Sequence, residues 1–153
     1  MEEISFAEIL NSDKTRKEKA QLTASKIRSV KSYSWVGLYD VKEKEISIIA
    51  FDGRSEPTFT TFQKEKGLNG RAVQKKQTVI VNDTNMDEDY LLTFSDTQSE
   101  IIVPVFNEKN GEIAGTIDAE SETKNAFSET DAQFLENCAK EIAFLWSSNM
   151  VNK

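Results

Sequence analysis

The sequence predicts an α/β fold of the α+β kind: a central antiparallel sheet of five or six strands, with the terminal helices on one face and a ligand pocket under loops on the other. Three observations predict it. Alternating segments recur in pairs joined by tight turns at Lys42–Lys44 and at Asn110-Gly111, and strands joined so closely run antiparallel. Apolar residues recur at spacings of three and four near both ends, which marks two helices. The middle holds a long polar and acidic stretch, Asn82–Thr97, the kind of connection that covers a site.

The elements follow in order. Ser5 and Glu8 have capping-box spacing, which predicts a short helix ending at Leu10. Asn11, Ser12 and Asp13 break it and recap a longer helix whose stripe is Ala20, Thr23, Ala24, Ile27 and Val30. Tyr33–Asp40 and Glu45–Phe51 form a hairpin, and Asp52-Gly53 turns the chain into a weaker strand at Thr58–Phe62. Lys66-Gly67-Leu68-Asn69-Gly70 opens a short helix, Leu68–Lys75, followed by a brief strand, Thr78–Val81. The long loop has one helical turn, anchored by Tyr90, Leu91 and Leu92. Glu100–Phe106 and Glu112–Ser121 make a second hairpin. Ser128, with Asp131 three residues on, caps a last helix with the stripe Phe134, Leu135, Cys138, Ala139, Ile142, Leu145 and Trp146. Phe144, Leu145 and Trp146 are consecutive and cannot all face one core, so part of this girdle is expected to meet a second copy.

Composition excludes several function classes. With 29% charged residues and no apolar run near the ~18–20 residues of a bilayer span, a membrane protein is not expected. The acidic start, MEEISFAEIL, lacks the positive region of a signal peptide, so the expected location is cytoplasmic. A net charge of −7 argues against nucleic-acid binding, which relies on cations to displace phosphate counterions. The basic run Lys14–Lys19 reads as a solvated helix face. There is one cysteine, Cys138, and no histidine. A disulfide within the chain, zinc of the cysteine–histidine type, a Ser–His–Asp triad and a Cys–His pair are all ruled out. No cofactor is implied.

Strand alternation selects the candidate site. Trp35, Gly37 and Tyr39 share one strand face, while Val36 and Leu38 point to the terminal helices. Asp118 and Glu120 also share a face, roughly 7 Å apart by strand rise, and Glu100 on the hairpin partner can reach them. Such a face is either simply wet or a shared acidic pocket. Three close carboxylates repel, so at least one pKa should rise unless an ammonium group or metal ion joins them. The turn Gly67–Gly70 can offer free helix-start amides to an anion. Cys138, on the apolar stripe, is expected to be an inert core thiol.

The order and spacing of several motifs identify a resemblance: Lys66-Gly67-Leu68-Asn69-Gly70-Arg71-Ala72, Val81-Asn82-Asp83, Tyr90, Ser99-Glu100-Ile101-Ile102-Val103-Pro104, Gly111, Gly115, Ile117-Asp118-Ala119-Glu120-Ser121 and Ala126-Phe127-Ser128-Glu129-Thr130-Asp131. Over about residues 15–147 the chain resembles a GAF domain, a small-molecule sensing module, and the whole of 1–153 is expected to be one such domain. Through Trp35-Val36-Gly37-Leu38-Tyr39, Ser99-Glu100-Ile101 and Asp118-Ala119-Glu120-Ser121 it is similar to the stand-alone free methionine-R-sulfoxide reductases. The resemblance places Trp35, Tyr39, Glu100, Asp118 and Glu120 around a ligand, with Glu120 where the family usually has Asp.

The reductases carry cysteines where this chain has Asn69 and, by expectation, Thr93. A hydroxyl cannot do thiolate chemistry on a sulfoxide. The resemblance therefore implies a pocket lined also by Leu68, Asn69 and Thr93, without the reaction. The expected function is a non-catalytic sensor or regulatory domain for a small polar molecule such as a free amino acid. A reductase-like enzyme and a nitrate or small-anion receptor stand as alternatives. A homodimer through the terminal helices and a separate signalling protein are the expected partners, because no output domain is expected in the chain itself.

Overall fold

A computed structural model describes residues 4–91, 94 and 96–147. Helix α1 (Ala7–Leu10) precedes α2 (Arg16–Lys31), then strands β1 (Trp35–Val41), β2 (Glu45–Gly53) and β3 (Thr61–Gln63). Helix α3 (Gly67–Lys75) leads to β4 (Val79–Val81), a single 3-10 turn at Thr84–Met86, and the long strands β5 (Ser99–Phe106) and β6 (Ile113–Ser121). Helix α4 (Glu129–Ile142) closes the domain and tightens into a 3-10 turn at Ala143–Trp146. The six strands form one sheet in the order β3-β2-β1-β6-β5-β4, every neighbouring pair antiparallel.

The first and last strands of the two hairpins meet in the middle: β1 pairs with β6. Alternation then divides their side chains. Val36, Leu38, Ile101, Val103, Ile117 and Ala119 go to the face covered by α2 and α4, where Ala20, Ala24, Ile27, Leu135, Cys138 and Ile142 complete a buried core. Burying each large apolar side chain there contributes about 1.5–3 kcal/mol. The opposite face receives Trp35, Tyr39, Glu100, Asp118 and Glu120, beneath α3, Leu91, Phe94 and Thr97.

Caps explain the helix boundaries and correct two sequence expectations. Helix α2 starts at Thr15, not at Asn11–Asp13: Thr15 and Glu18 form a full capping box. Ser5 and Glu8 form none; Ser5 Oγ only accepts from the Ala7 N–H at 3.3 Å, and α1 is a single turn. Ser128 and Asp131 do form the capping box of α4. Strand β3 is shorter and later than the expected Thr58–Phe62, because it pairs only with Glu45–Ser47 at the sheet edge. No helix among the described residues is long and apolar enough to cross a membrane.

The three consecutive residues Phe144, Leu145 and Trp146 divide between core and surface, as their spacing requires. The 3-10 turn winds tighter than an α-helix, so Leu145 and Trp146 both rotate inward. Leu145 is buried, and Trp146 lies on Gly115 and donates its indole N–H to the Tyr39 carbonyl at 3.1 Å. Any side chain at Gly115 would collide with that ring, since a Cβ there falls 2.1 Å from its Nε1. Phe144 is left outward and half exposed.

Candidate ligand site

Register builds the acidic cluster. Glu100 lies directly opposite Glu120 across the β5–β6 pair, and Asp118 stands two residues away on β6, on the same face. Their side chains converge until carboxylate oxygens from all three lie within 4.8 Å of one another. None of the three is wet: Glu100 is 3% exposed, Asp118 2% and Glu120 0%. Sheet curvature and the cover of α3 shut out the solvent that an open antiparallel face would meet.

The hydrogen bonds that reach the cluster from outside it come from neutral groups. Asn69, at the third position of α3, donates from Nδ2 to Asp118 Oδ2 at 3.1 Å, and its Oδ1 accepts from Thr116 Oγ1 at 2.5 Å. Thr97 donates to Glu120 Oε1 at 2.7 Å. Asp118 Oδ1 and Glu120 Oε2 are buried and receive no hydrogen bond from outside the cluster among the described residues. Burial raises the Glu100 pKa well above the carboxylate range, and the charges of Asp118 and Glu120 push it the same way. Glu120 is also raised well above that range, by burial first and by Asp118 second, against hydrogen bonds from Thr97 and Glu100. Asp118 is raised by burial to about 6, although hydrogen bonds from Glu100 and Asn69 oppose the rise. Tyr39 is pushed well above 10 by burial, then by the three acids, so its phenol stays neutral. Burial and the mutual repulsion of the three acids thus both favour the protonated carboxyl over the ionised one.

Helix α3 supplies the second half of the site. Its N-cap, Lys66, makes no side-chain capping bond, and Gly67 turns the chain with a φ of 70°. Gly67, Leu68 and Asn69 line one small cavity with Tyr39, Glu100 and Asp118, roofed by Leu91, Phe59 and Phe62. The cavity measures about 10 Å³, room for one water at most. Arg71 fastens the roof to α3 through Asp87 at 2.6 Å and Asp89 at 2.9 Å. Arg54 joins Asp96 and, at 3.5 Å, Glu122.

Five of the candidate residues thus meet around one cavity: Tyr39, Leu68, Asn69, Glu100 and Asp118. Glu120 joins them through the cluster. Trp35 occupies the same sheet face, opposite Glu120 in register, yet borders a neighbouring cavity of about 20 Å³. Its ring stacks on Phe51 and tilts against Phe94, and its N–H donates to the Ser55 carbonyl at 3.1 Å. Thr93 lies outside the described residues. Sequence reasoning missed Thr116 and Thr97. The first was within reach, two residues before Asp118 on the same strand face; Thr97 sits in irregular chain, where no periodicity aims a side chain.

Residues 15–147 match the family described as the GAF domain. The chain belongs to the GAF domain family. GAF domain-containing protein A of Dictyostelium discoideum is 32% identical over 122 residues, which cover 79% of this chain and 74% of that relative. The type II free methionine-R-sulfoxide reductase from Thermoplasma acidophilum superposes with a TM-score of 0.80 at 32% identity, over 85% of this chain and 91% of that one. The free methionine-R-sulfoxide reductase from Neisseria meningitidis, solved in complex with its substrate, gives a TM-score of 0.82 at 29% identity, over 92% and 83%.

The cysteine of this GAF domain lies away from the acidic cluster. Cys138 lies in the α2–α4 core, 1% exposed, on the opposite side of the sheet from the acids. Burial and the Glu141 charge push its thiol up to about 12, which leaves almost no thiolate at neutral pH.

Proposed function

We propose that this GAF domain is a non-catalytic sensor or regulatory module that binds a free amino acid, methionine-like in shape, and passes the binding event to a separate signalling protein. One observation carries the reading: Asn69, at the helix start where the resemblance to the reductases implies a cysteine, donates to one of three buried acids. The charge layout suits a zwitterion. Helix-start amides at Gly67–Asn69 favour the ligand carboxylate, and the acids favour its ammonium group. Sulfoxide reduction would need a thiolate attack followed by a resolving thiol or an outside reductant, and Cys138 is buried far from this role. A cavity of about 10 Å³ admits a ligand only if the roof of Phe59, Phe62 and Leu91 withdraws, so binding is coupled to movement of the covering chain. That coupling is a means of signalling.

Calorimetry with an amino acid panel and with nitrate tests the reading. Asp118→Asn is expected to weaken an amino acid about ten- to a hundred-fold, the loss of one charge-assisted contact worth about 1.5–3 kcal/mol, and to leave nitrate unaffected or slightly tighter. Nitrate binding without any amino acid binding would replace the zwitterion with the anion receptor. Product formed from free methionine-R-sulfoxide and a thiol reductant, faster than in the blank, would restore the enzyme.

The proposed assembly is a homodimer through the terminal helices. It is supported by half-exposed Phe144 and Phe106 and by a groove of about 600 Å³ beside α4, lined by Ile80, Val103, Ala139 and Ala143 among others. Light scattering at micromolar concentration is expected to give a dimer mass; a monomer mass would refute this arrangement.

A further inference from the structure

We propose that Glu100, Asp118 and Glu120 form an exchange site in which a primary ammonium group replaces carboxyl protons, so that this domain reads its ligand jointly with pH. This rests on the zwitterion reading above and specifies the chemistry of one end of it. Three carboxylates lie within 4.8 Å, all nearly fully buried, and two of their oxygens, Asp118 Oδ1 and Glu120 Oε2, receive no hydrogen bond from outside the cluster among the described residues.

The elements packed on the cluster present neutral chemistry. Helix α3 offers the Asn69 amide, β1 the Tyr39 phenol, β6 the Thr116 hydroxyl and the chain before β5 the Thr97 hydroxyl. Val81 of β4 stands opposite Glu100. The charges acting on Glu100 and Glu120 are those of the other acids, and Arg71, the arginine of α3, is engaged by Asp87 and Asp89. Positive charge has to come either from protons or from a ligand.

The number of acceptors decides the kind of cation. A primary ammonium has three donors and no acceptor, which matches three carboxylates. Calcium takes six to eight oxygens, and magnesium six. The cluster supplies three side chains, the Asn69 oxygen is already committed to Thr116, and the adjoining space holds one water at most. In the exchange a carboxyl O–H breaks, its proton passes to the buffer, and the freed oxygen accepts an N–H of the ligand. Each proton released makes affinity rise about tenfold per pH unit, until the acids are ionised or the ammonium loses its own proton.

Calorimetry with L-methionine, or with whichever amino acid of the panel binds, tests this in buffers of different ionisation enthalpy at about pH 6 and about pH 8. Expected are proton release, tighter binding at the higher pH, and no binding of the N-acetylated form. The infrared band of protonated carboxyl groups is expected in the free protein at neutral pH and is expected to shrink on binding. Glu100→Gln should release about one proton fewer and flatten the pH dependence. An amino acid that binds equally at both pH values, or with no buffer dependence, overturns the exchange and leaves the zwitterion reading standing. Equal binding of the N-acetylated form, or binding of manganese or calcium with no amino acid binding, overturns both.

Discussion

Strand β6 carries two chemistries on alternate residues. Ile117 and Ala119 face α2 and α4 and are fully buried in apolar surroundings. Thr116, Asp118 and Glu120 face α3 and are just as buried, in a polar nest. Burial is equal on both faces; its energetic sign is not. On the helix face it releases water from apolar surface and stabilises the fold. On the α3 face it strips water from carboxylates and raises their pKa values, which costs stability at neutral pH. A face that costs stability while its groups remain incompletely paired is the pattern the proposed ligand site calls for.

Truncations on the two faces should therefore have opposite signs. Ile117→Ala leaves a cavity in the helix-side core and is expected to cost about 2–5 kcal/mol in urea denaturation. A cost below about 1 kcal/mol would mean that this face is loosely packed, and the contrast would fail.

Asp118→Asn is expected to stabilise. The folded chain holds the Asp118 proton more tightly than an ordinary carboxylate of pKa 3.8 does, its own value being about 6. Stability from this group is therefore full at low pH, falls as pH rises through that interval, and stays low above it. At one pKa unit per 1.36 kcal/mol, removing the charge should add about 2–3 kcal/mol at about pH 8 and almost nothing at about pH 4. Thermal melts of both proteins across that range check it. A uniformly destabilised variant would show that the ionised carboxylate is an asset of the fold.

Cys138→Ser tests the dry face by its chemistry. It is expected to cost about 1–3 kcal/mol by burying a hydroxyl among apolar side chains, with ligand affinity unchanged. In the unmodified protein a thiol reagent should label Cys138 slowly under native conditions and quickly in denaturant, as its pKa near 12 implies. Rapid native labelling would bring thiol chemistry back into consideration.

Much of this was legible in the chain itself. Period-two and helical patterns located both hairpins and both long helices, and antiparallel pairing followed from the short turns. Alternation alone put Trp35 and Tyr39 on one face and Asp118 with Glu120 on one face. A single cysteine without any histidine leaves no place in this sequence for a Ser–His–Asp triad, a Cys–His pair or an internal disulfide. The patterns that located these elements are local properties, set by neighbours one to four residues apart. The tertiary structure decided the rest. Whether the acidic face would be wet or sealed depended on α3, Leu91 and Thr97 closing over it, and the register between β5 and β6 placed Glu100 against Glu120. Asn69 and Thr97 reach the acids from 49 residues and 23 residues away along the chain. The tight last turn drew Trp146 inward onto Gly115. A carboxylate's proton affinity is set by what surrounds it in space, and sequence distance carries no record of that.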